Sequence, residues 1–262
     1  MDLGIHGRVA LVIGASRGIG AATARQLAAE GARVAIVSRG GDALSALARE
    51  LGETGAEVLA ISADMLDKTA AERVVDQVVE QFGSLDIAVA CVGDAQGGVF
   101  WDIEDHVWDA ALDLKFKATV RILKAVLQPM RRARYGRIAV VVGNSGKQPS
   151  AKMLPGAAAN AACLALIKGV ADQVAGDGIT VNAINPGPTR TDRWSTLMTR
   201  LSEAGGTTAE QAEAEFLQQI PVGRINEPDE IGRLVTLMVS THVSAVTGTS
   251  LLVDGGATKA IA

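Results

Sequence analysis

The chain has 262 residues, 48% of them hydrophobic and 21% charged, with a net charge of −4. That suffices for one large α/β domain with a full core and is short for two, and the acidic balance argues against a nucleic-acid partner. Two cysteines, Cys91 and Cys163, cannot build a disulfide framework; no basic-then-apolar leader opens the sequence, and Asn160 and Lys168 interrupt its apolar stretch 157–170. A cytoplasmic protein without a membrane span is expected.

Residues 8–13 are a short apolar run that suits a strand buried on both faces. Gly14-Ala15-Ser16-Arg17-Gly18-Ile19-Gly20 follows, and 21–30 is Ala-rich and helical in propensity, ended by Gly31. Strands are predicted at 33–37, 57–61, 85–90, 137–142, 179–184 and 250–253. The segments 42–53, 68–82, 104–132, 155–175 and 230–240 between them read as helices. Residues 191–219 are polar, helical and lid-like, with Gly205-Gly206 in their middle. Strands separated by helix-length spacers imply a Rossmann-like α/β fold. Its doubly wound parallel sheet has about seven strands and helices on both faces, and the whole of 1–262 forms one domain.

Ligands of such a sheet bind outside the carboxyl ends of its strands. A glycine-rich turn there brings backbone N–H groups and a helix N-terminus to a pyrophosphate, so Gly14, Ser16, Arg17, Gly18, Ile19 and Gly20 are candidate cofactor residues. An NAD site usually carries an acid at the end of the second strand. Here Ser38 and Arg39 stand there, and with Arg17 they suit a 2′-phosphate, so NADP(H) is favoured over NAD(H). A solvated loop charge is the plainer account of Arg39, and an S-adenosylmethionine site competes but would also want the missing acid. Asp64 is placed for an adenine amino group or for a turn or helix cap. No cluster has metal-ligand spacing, and none of His6, His106 and His242 falls in a site loop.

The 14–20 turn, Asp64-Met65, Asn182-Ala183-Ile184-Asn185-Pro186-Gly187-Pro188-Thr189-Arg190-Thr191, Pro221-Val222-Gly223-Arg224-Ile225 and Val253-Asp254-Gly255-Gly256 together carry a resemblance. On them the chain resembles a short-chain dehydrogenase/reductase over nearly its whole length. The resemblance implies an NAD(P)(H) site that also uses Met65, Gly93, Pro186, Gly187, Thr189 and Thr191. It further implies hydride exchange with a small carbonyl or alcohol substrate and a homodimer or homotetramer formed through the two long helices. The family's serine, tyrosine, lysine and asparagine positions fall on Gly143, Gly156, Asn160 and Lys115. The one tyrosine, Tyr135, precedes the fifth strand, at the wrong end of the sheet to give a proton.

Four residues are candidates to replace that machinery. A desolvated Lys115 would have a lowered pKa and could transfer a proton or polarise a carbonyl, unless it snorkels to solvent. Asn160 could keep the ribose hydrogen bonds through its amide, and Asn144 and Ser145 could orient a substrate oxygen or be ordinary turn residues. Cys91 borders the site but reads as a small buried apolar group. Lys115, Lys147, Lys152, Arg190 and Arg193 would favour an anionic substrate if they converge. Trp194, Leu197, Met198, Leu201, Phe216 and Leu217 either line the substrate side of the lid or pack it onto the body. Three functions remain open: an NADP(H)-dependent oxidoreductase with a non-standard site, a catalytically inactive NADP(H)-binding homologue (sensor, subunit or assembly partner), and a non-redox lyase or isomerase.

Overall fold

Val9, Leu11 and Ile13 alternate along the first strand with Ala10 and Val12, and every one of the five is buried. A strand apolar on both faces needs cover on both. In a computed structural model describing residues 2–94 and 96–259, that strand lies inside the sheet with a neighbour on each side. The side chains of Arg200, Leu201 and Ala204 lie outside the description, and with them the lid assignment of Leu201. The strands are β1 (Val9–Ile13), β2 (Arg33–Ser38), β3 (Val58–Ser62), β4 (Ile87–Ala90), β5 (Gly136–Val141), β6 (Ile179–Pro186) and β7 (Ser250–Val253). They form one seven-stranded sheet in the order β3-β2-β1-β4-β5-β6-β7, and each neighbouring pair is parallel. The order turns back between β1 and β4, which is where a doubly wound sheet opens a crevice for a ligand.

The helices are α1 (Gly18–Ala29), α2 (Asp42–Glu53), α3 (Ala70–Phe82), α4 (Asp105–Ala111), α5 (Ala118–Ala133), α6 (Leu154–Val174), α7 (Asp192–Gly205), α8 (Ala209–Leu217) and α9 (Pro228–Met238). Val9, Leu11 and Ile13 join the core under α3, α5 and α6, while Ala10 and Val12 join the core under α1, α2 and α9. Each fully buried Leu or Ile in these layers contributes roughly 1.5–3 kcal/mol. The segment Leu154–Asp177 is long and apolar enough to cross a membrane, with a mean hydropathy of 1.4. Its buried residues Ala159, Cys163, Ile167 and Ala171 instead face the sheet, as in a core helix.

Two helical segments depart from the sequence reading. The helix expected over 104–132 is broken into α4, a π turn at Leu112–Lys117 and α5. The Ala118 N–H there reaches back five residues to Asp113 O, which widens the turn by one residue. The segment 191–219 is two helices, separated where Gly206 takes φ +63° and Thr208 caps α8 in a reciprocal pair with Gln211. The sixth strand also runs on to Pro186, held by β7.

Candidate active site

The turn after β1 is built by close backbone contact. Gly14 and Ala15 both donate to Val37 O, at 2.8 and 3.0 Å. A Cβ on Gly14 would lie 2.4 Å from Cys91 O, and one on Gly20 would lie 2.2 Å from Gly14 O, so only glycine fits either position. The N-cap of α1, Arg17, is extended and offers no side-chain cap. The first N–H groups of α1, from Gly18 onward, therefore have no partner within the helix and face the crevice with Ser16. Uncapped donors on a tight glycine cradle fit an anionic phosphate, and the residues present suit a dinucleotide.

The other strand ends bring Ser38 and Arg39, Asp64 and Met65, Gly93, and 186–191 to the same edge of the sheet. Ser38 Oγ accepts the Gly40 N–H at 3.4 Å, and Arg39 is exposed. Arg17 is ion-paired across the crevice, its Nη1 3.4 Å from Asp192 Oδ2. Asp64 closes a turn by accepting the Leu66 N–H at 2.9 Å; the cap position of α3 belongs to Thr69. Met65 has its side chain in the core and its carbonyl bonded to Arg121 at 3.1 Å. Gly187 donates to Val253 O at 3.0 Å, and the Thr189 and Thr191 hydroxyls bond back to Gly187 O and Thr189 O.

Lys115 does not snorkel to solvent. It is 8% exposed, and its Nζ donates to Val92 O at 2.8 Å and to Val141 O at 2.7 Å, tying the end of β4 to the end of β5. The π turn aims it there. Its own carbonyl is taken by the Thr119 hydroxyl at 2.6 Å and the Cys163 thiol at 3.6 Å, and it passes Gly93, where a Cβ would lie 2.5 Å from Lys115 Cδ. Burial lowers the Lys115 pKa to about 8, with the nearby Arg193 charge acting in the same direction and the Cys163 and Cys91 sulfurs opposing it. The Cys91 thiol is pushed up to about 12 by burial, although the residue keeps some exposure, so it is no thiolate nucleophile at neutral pH.

Asn160 stands one turn before Cys163 on α6. Its Nδ2 donates to Ser145 Oγ at 2.9 Å and would be 2.9 Å from a Cβ on Gly143, whose φ is +137°. Asn144 is held from behind, its Nδ2 3.4 Å from Asp254 Oδ2. The Asp254 carboxylate also accepts the Gly256 and Thr258 N–H groups at 3.1 and 2.8 Å. Although burial raises its pKa, these bonds win and hold it below the usual carboxylate value. The Asn160–Ser145 hydrogen bond stands in the loop after β5, Lys115 bonds carbonyls at the ends of β4 and β5, and Asn144 is turned towards the C-terminal segment.

The structure narrows several readings that the sequence left open. The basic residues do not converge as free charges: Arg190 pairs with Glu227 at 2.9 Å and Glu213 at 3.5 Å, Arg193 with Asp94 at 3.3 Å, and Lys152 is exposed. Trp194 and Met198 are buried against Ile220 and Ile225, with Trp194 edge-on to Phe216 at 5.1 Å, so they pack α7 onto α8 and the segment after it. Tyr135 sits at the opposite end of the sheet, between the guanidinium groups of Arg8 and Arg137 at 4.3 and 4.5 Å. Among the described residues no three His, Cys, Asp or Glu side chains form a group that could hold a metal. Sequence reasoning missed the exposed Val99, Phe100 and Trp101 in the loop after β4, where Phe100 packs edge-on against Trp108 at 6.3 Å. Gly97-Gly98 was the available signal, because those glycines press the loop onto Lys152 and Met153 at the entry to α6.

A parallel seven-stranded sheet with a glycine cradle at its turning point defines a Rossmann-like α/β protein. The short chain dehydrogenase family model matches residues 8–201, and the chain belongs to that family of oxidoreductases. It is 34% identical over 251 residues to the Monensin polyketide synthase putative ketoacyl reductase of Streptomyces virginiae, covering 95% of this chain and 96% of that one. It is 33% identical over 257 residues to 3-oxoacyl-[acyl-carrier-protein] reductase FabG of Escherichia coli (strain K12), covering 97% and 98%. Its structure is similar to L-sorbose reductase from Gluconobacter frateurii complexed with NADPH and L-sorbose. There the TM-score is 0.94 at 30% identity, with 100% of each chain covered.

Proposed function

We propose that the chain is an NADP(H)-dependent reductase or dehydrogenase acting on a carbonyl or alcohol carbon through a non-standard site. The observation that carries this reading is the buried Lys115 ammonium bonded to Val92 O and Val141 O at the carboxyl ends of β4 and β5, the second of which leads into the loop that holds the Asn160–Ser145 hydrogen bond. Gly143, Gly156 and Asn160 occupy the positions where the family carries serine, tyrosine and lysine. The cradle at 14–20, with Arg17, Ser38, Arg39, Asp64, Gly93 and 186–191, would hold the dinucleotide, which supplies or accepts the hydride when bound. Several similar structures are of NADPH-dependent or NADPH-bound reductases, which supports that choice.

The chain's own groups manage the oxygen. Ser145 Oγ accepts its hydrogen bond from Asn160, so its hydroxyl proton remains available to a substrate oxygen. The Lys115 ammonium has three N–H groups, two of them committed to backbone carbonyls. Its charge and third N–H stabilise the oxygen as negative charge develops there. The lid at 191–220 covers the substrate side, and the exposed Phe100 and Trp101 form an apolar lip on the other margin. Substrate turnover is tested by following NADPH absorbance with a panel of aldehydes and ketones; no turnover of any, in protein that binds NADPH, would overturn this reading.

The same bonds favour a second reading, an NADP(H)-binding homologue without turnover, because a lysine donating to two strand-end carbonyls also serves as a brace. Restoring Ser at 143, Tyr at 156 and Lys at 160 together separates the two: activity gained only then supports the inactive homologue. The partly apolar groove between α5 and α6, lined by Val120, Leu123, Leu127, Leu166 and Val170, suits the contact between subunits of a homodimer or homotetramer in the cytoplasm. Light scattering after size-exclusion chromatography tests that assembly.

A further inference from the structure

Two consecutive residues at the start of α7 straddle the point where the strand order turns back. Asp192 meets Arg17 in the turn after β1, with 3.4 Å between Oδ2 and Nη1. Arg193 reaches the loop after β4, where Nη1 donates to Gly93 O at 3.3 Å and Nη2 pairs with Asp94 Oδ1 at 3.3 Å. The Thr191 methyl lies over Gly18, 3.1 Å from where a Cβ would stand. Residues 191–193 therefore form a strap across the crevice between β1 and β4, the path a dinucleotide pyrophosphate takes.

The two ends of the strap differ in what can replace them. Arg17 and Asp192 keep 71% and 75% of their side-chain surface exposed, so their tie is weak and exchangeable. Arg17 is also a guanidinium assigned above to a 2′-phosphate. A phosphate carries more charge than a carboxylate and accepts a bidentate guanidinium pair, so it is the stronger partner. The Arg193 end has no such competitor, since its partners are a backbone carbonyl and Asp94.

We propose that Asp192 is a specificity-determining residue that competes with the 2′-phosphate of the dinucleotide for Arg17, so that only the phosphorylated dinucleotide frees the strap from the glycine turn. The proposal rests on the NADP(H) reading of the site. It makes the lid sense which dinucleotide is bound before any chemistry takes place.

Equilibrium fluorescence titration of the full chain with NADPH and with NADH tests it without requiring turnover. Asp192→Asn is expected to tighten NADPH about threefold and leave NADH unchanged, a change matching the strength of an exposed ion pair. In an Arg17→Met background the same substitution is expected to do nothing, which separates competition at Arg17 from a general loss of negative charge. Arg193→Met is expected to shift both dinucleotides by the same factor. If Arg17→Met leaves the NADPH/NADH ratio unchanged, the 2′-phosphate reading and the proposal both fall. If Arg17→Met collapses the ratio but Asp192→Asn does not tighten NADPH, or tightens both equally, the proposal alone falls.

Discussion

Replacing Lys115 with Met removes the ammonium and keeps most of the side-chain volume. Val92 O and Val141 O then lose their donor. A buried unpaired carbonyl costs about 1–3 kcal/mol, so the two cost about 2–6 kcal/mol. Relief from burying a charge opposes this. Burial holds the pKa at about 8 against the ordinary 10.5, a gap on the order of 3 kcal/mol near neutral pH. The net effect of the variant near neutral pH therefore lies between a gain of about 1 kcal/mol and a loss of about 3 kcal/mol.

Raising the pH separates the two contributions. A neutral amine still has two N–H groups and keeps both carbonyls. From about pH 8 to 10.5 the unfolded chain holds a proton the folded chain has released, so wild-type stability rises with pH across that window. Below about pH 8 both states are protonated and the penalty is constant. The gap between wild type and Lys115→Met, from urea unfolding followed by circular dichroism, should widen by an amount on the order of 3 kcal/mol over the window. A gap that stays constant would refute the buried ammonium. Activity gives a second reading: if the charge assists the substrate oxygen, turnover falls as pH rises through about 8.

Ser145→Ala should lower kcat by about 100-fold or more with little change in NADPH affinity, measured by steady-state kinetics and titration. An unchanged kcat would remove Ser145 from the site. Tyr135→Phe should leave activity unchanged and hold or raise stability by about 1 kcal/mol, because the buried Tyr135 hydroxyl has no partner; lost turnover would place that ring in the chemistry. Gly93→Ala should destabilise by about 1–3 kcal/mol, because φ is +137° and the new methyl meets Lys115 Cδ; an unchanged unfolding midpoint would count against the interlock of these two residues.

The sheet was legible because buried parallel strands must be continuously apolar, and 8–13 or 137–142 admit no other economical reading. The glycine cradle was legible for the same kind of reason: Gly14 and Gly20 sit where backbone occupies the space of a Cβ. The direction of Lys115 was not. A helical pattern over 104–132 carries no mark of the extra residue that turns position 115 inward, and burial of its amine depends on carbonyls from β4 and β5. The partners of Arg17, Arg190 and Arg193 were equally hidden, being 175, 37 and 100 residues away along the chain and brought near only by the fold. The lid's apolar residues looked free for substrate because sequence pattern cannot distinguish an apolar face that meets a ligand from one that meets Ile220 and Ile225.

The widened turn at Leu112–Lys117 constrains chain length as well as shape. Each residue of a helix advances its neighbours by about 100°, so deleting one residue here would restore an ordinary helix and rotate Trp108 and Phe100 out of phase with α5. Descendants of this sequence can exchange side chains across that stretch, but a single-codon loss would unseat the amine from both strands at once.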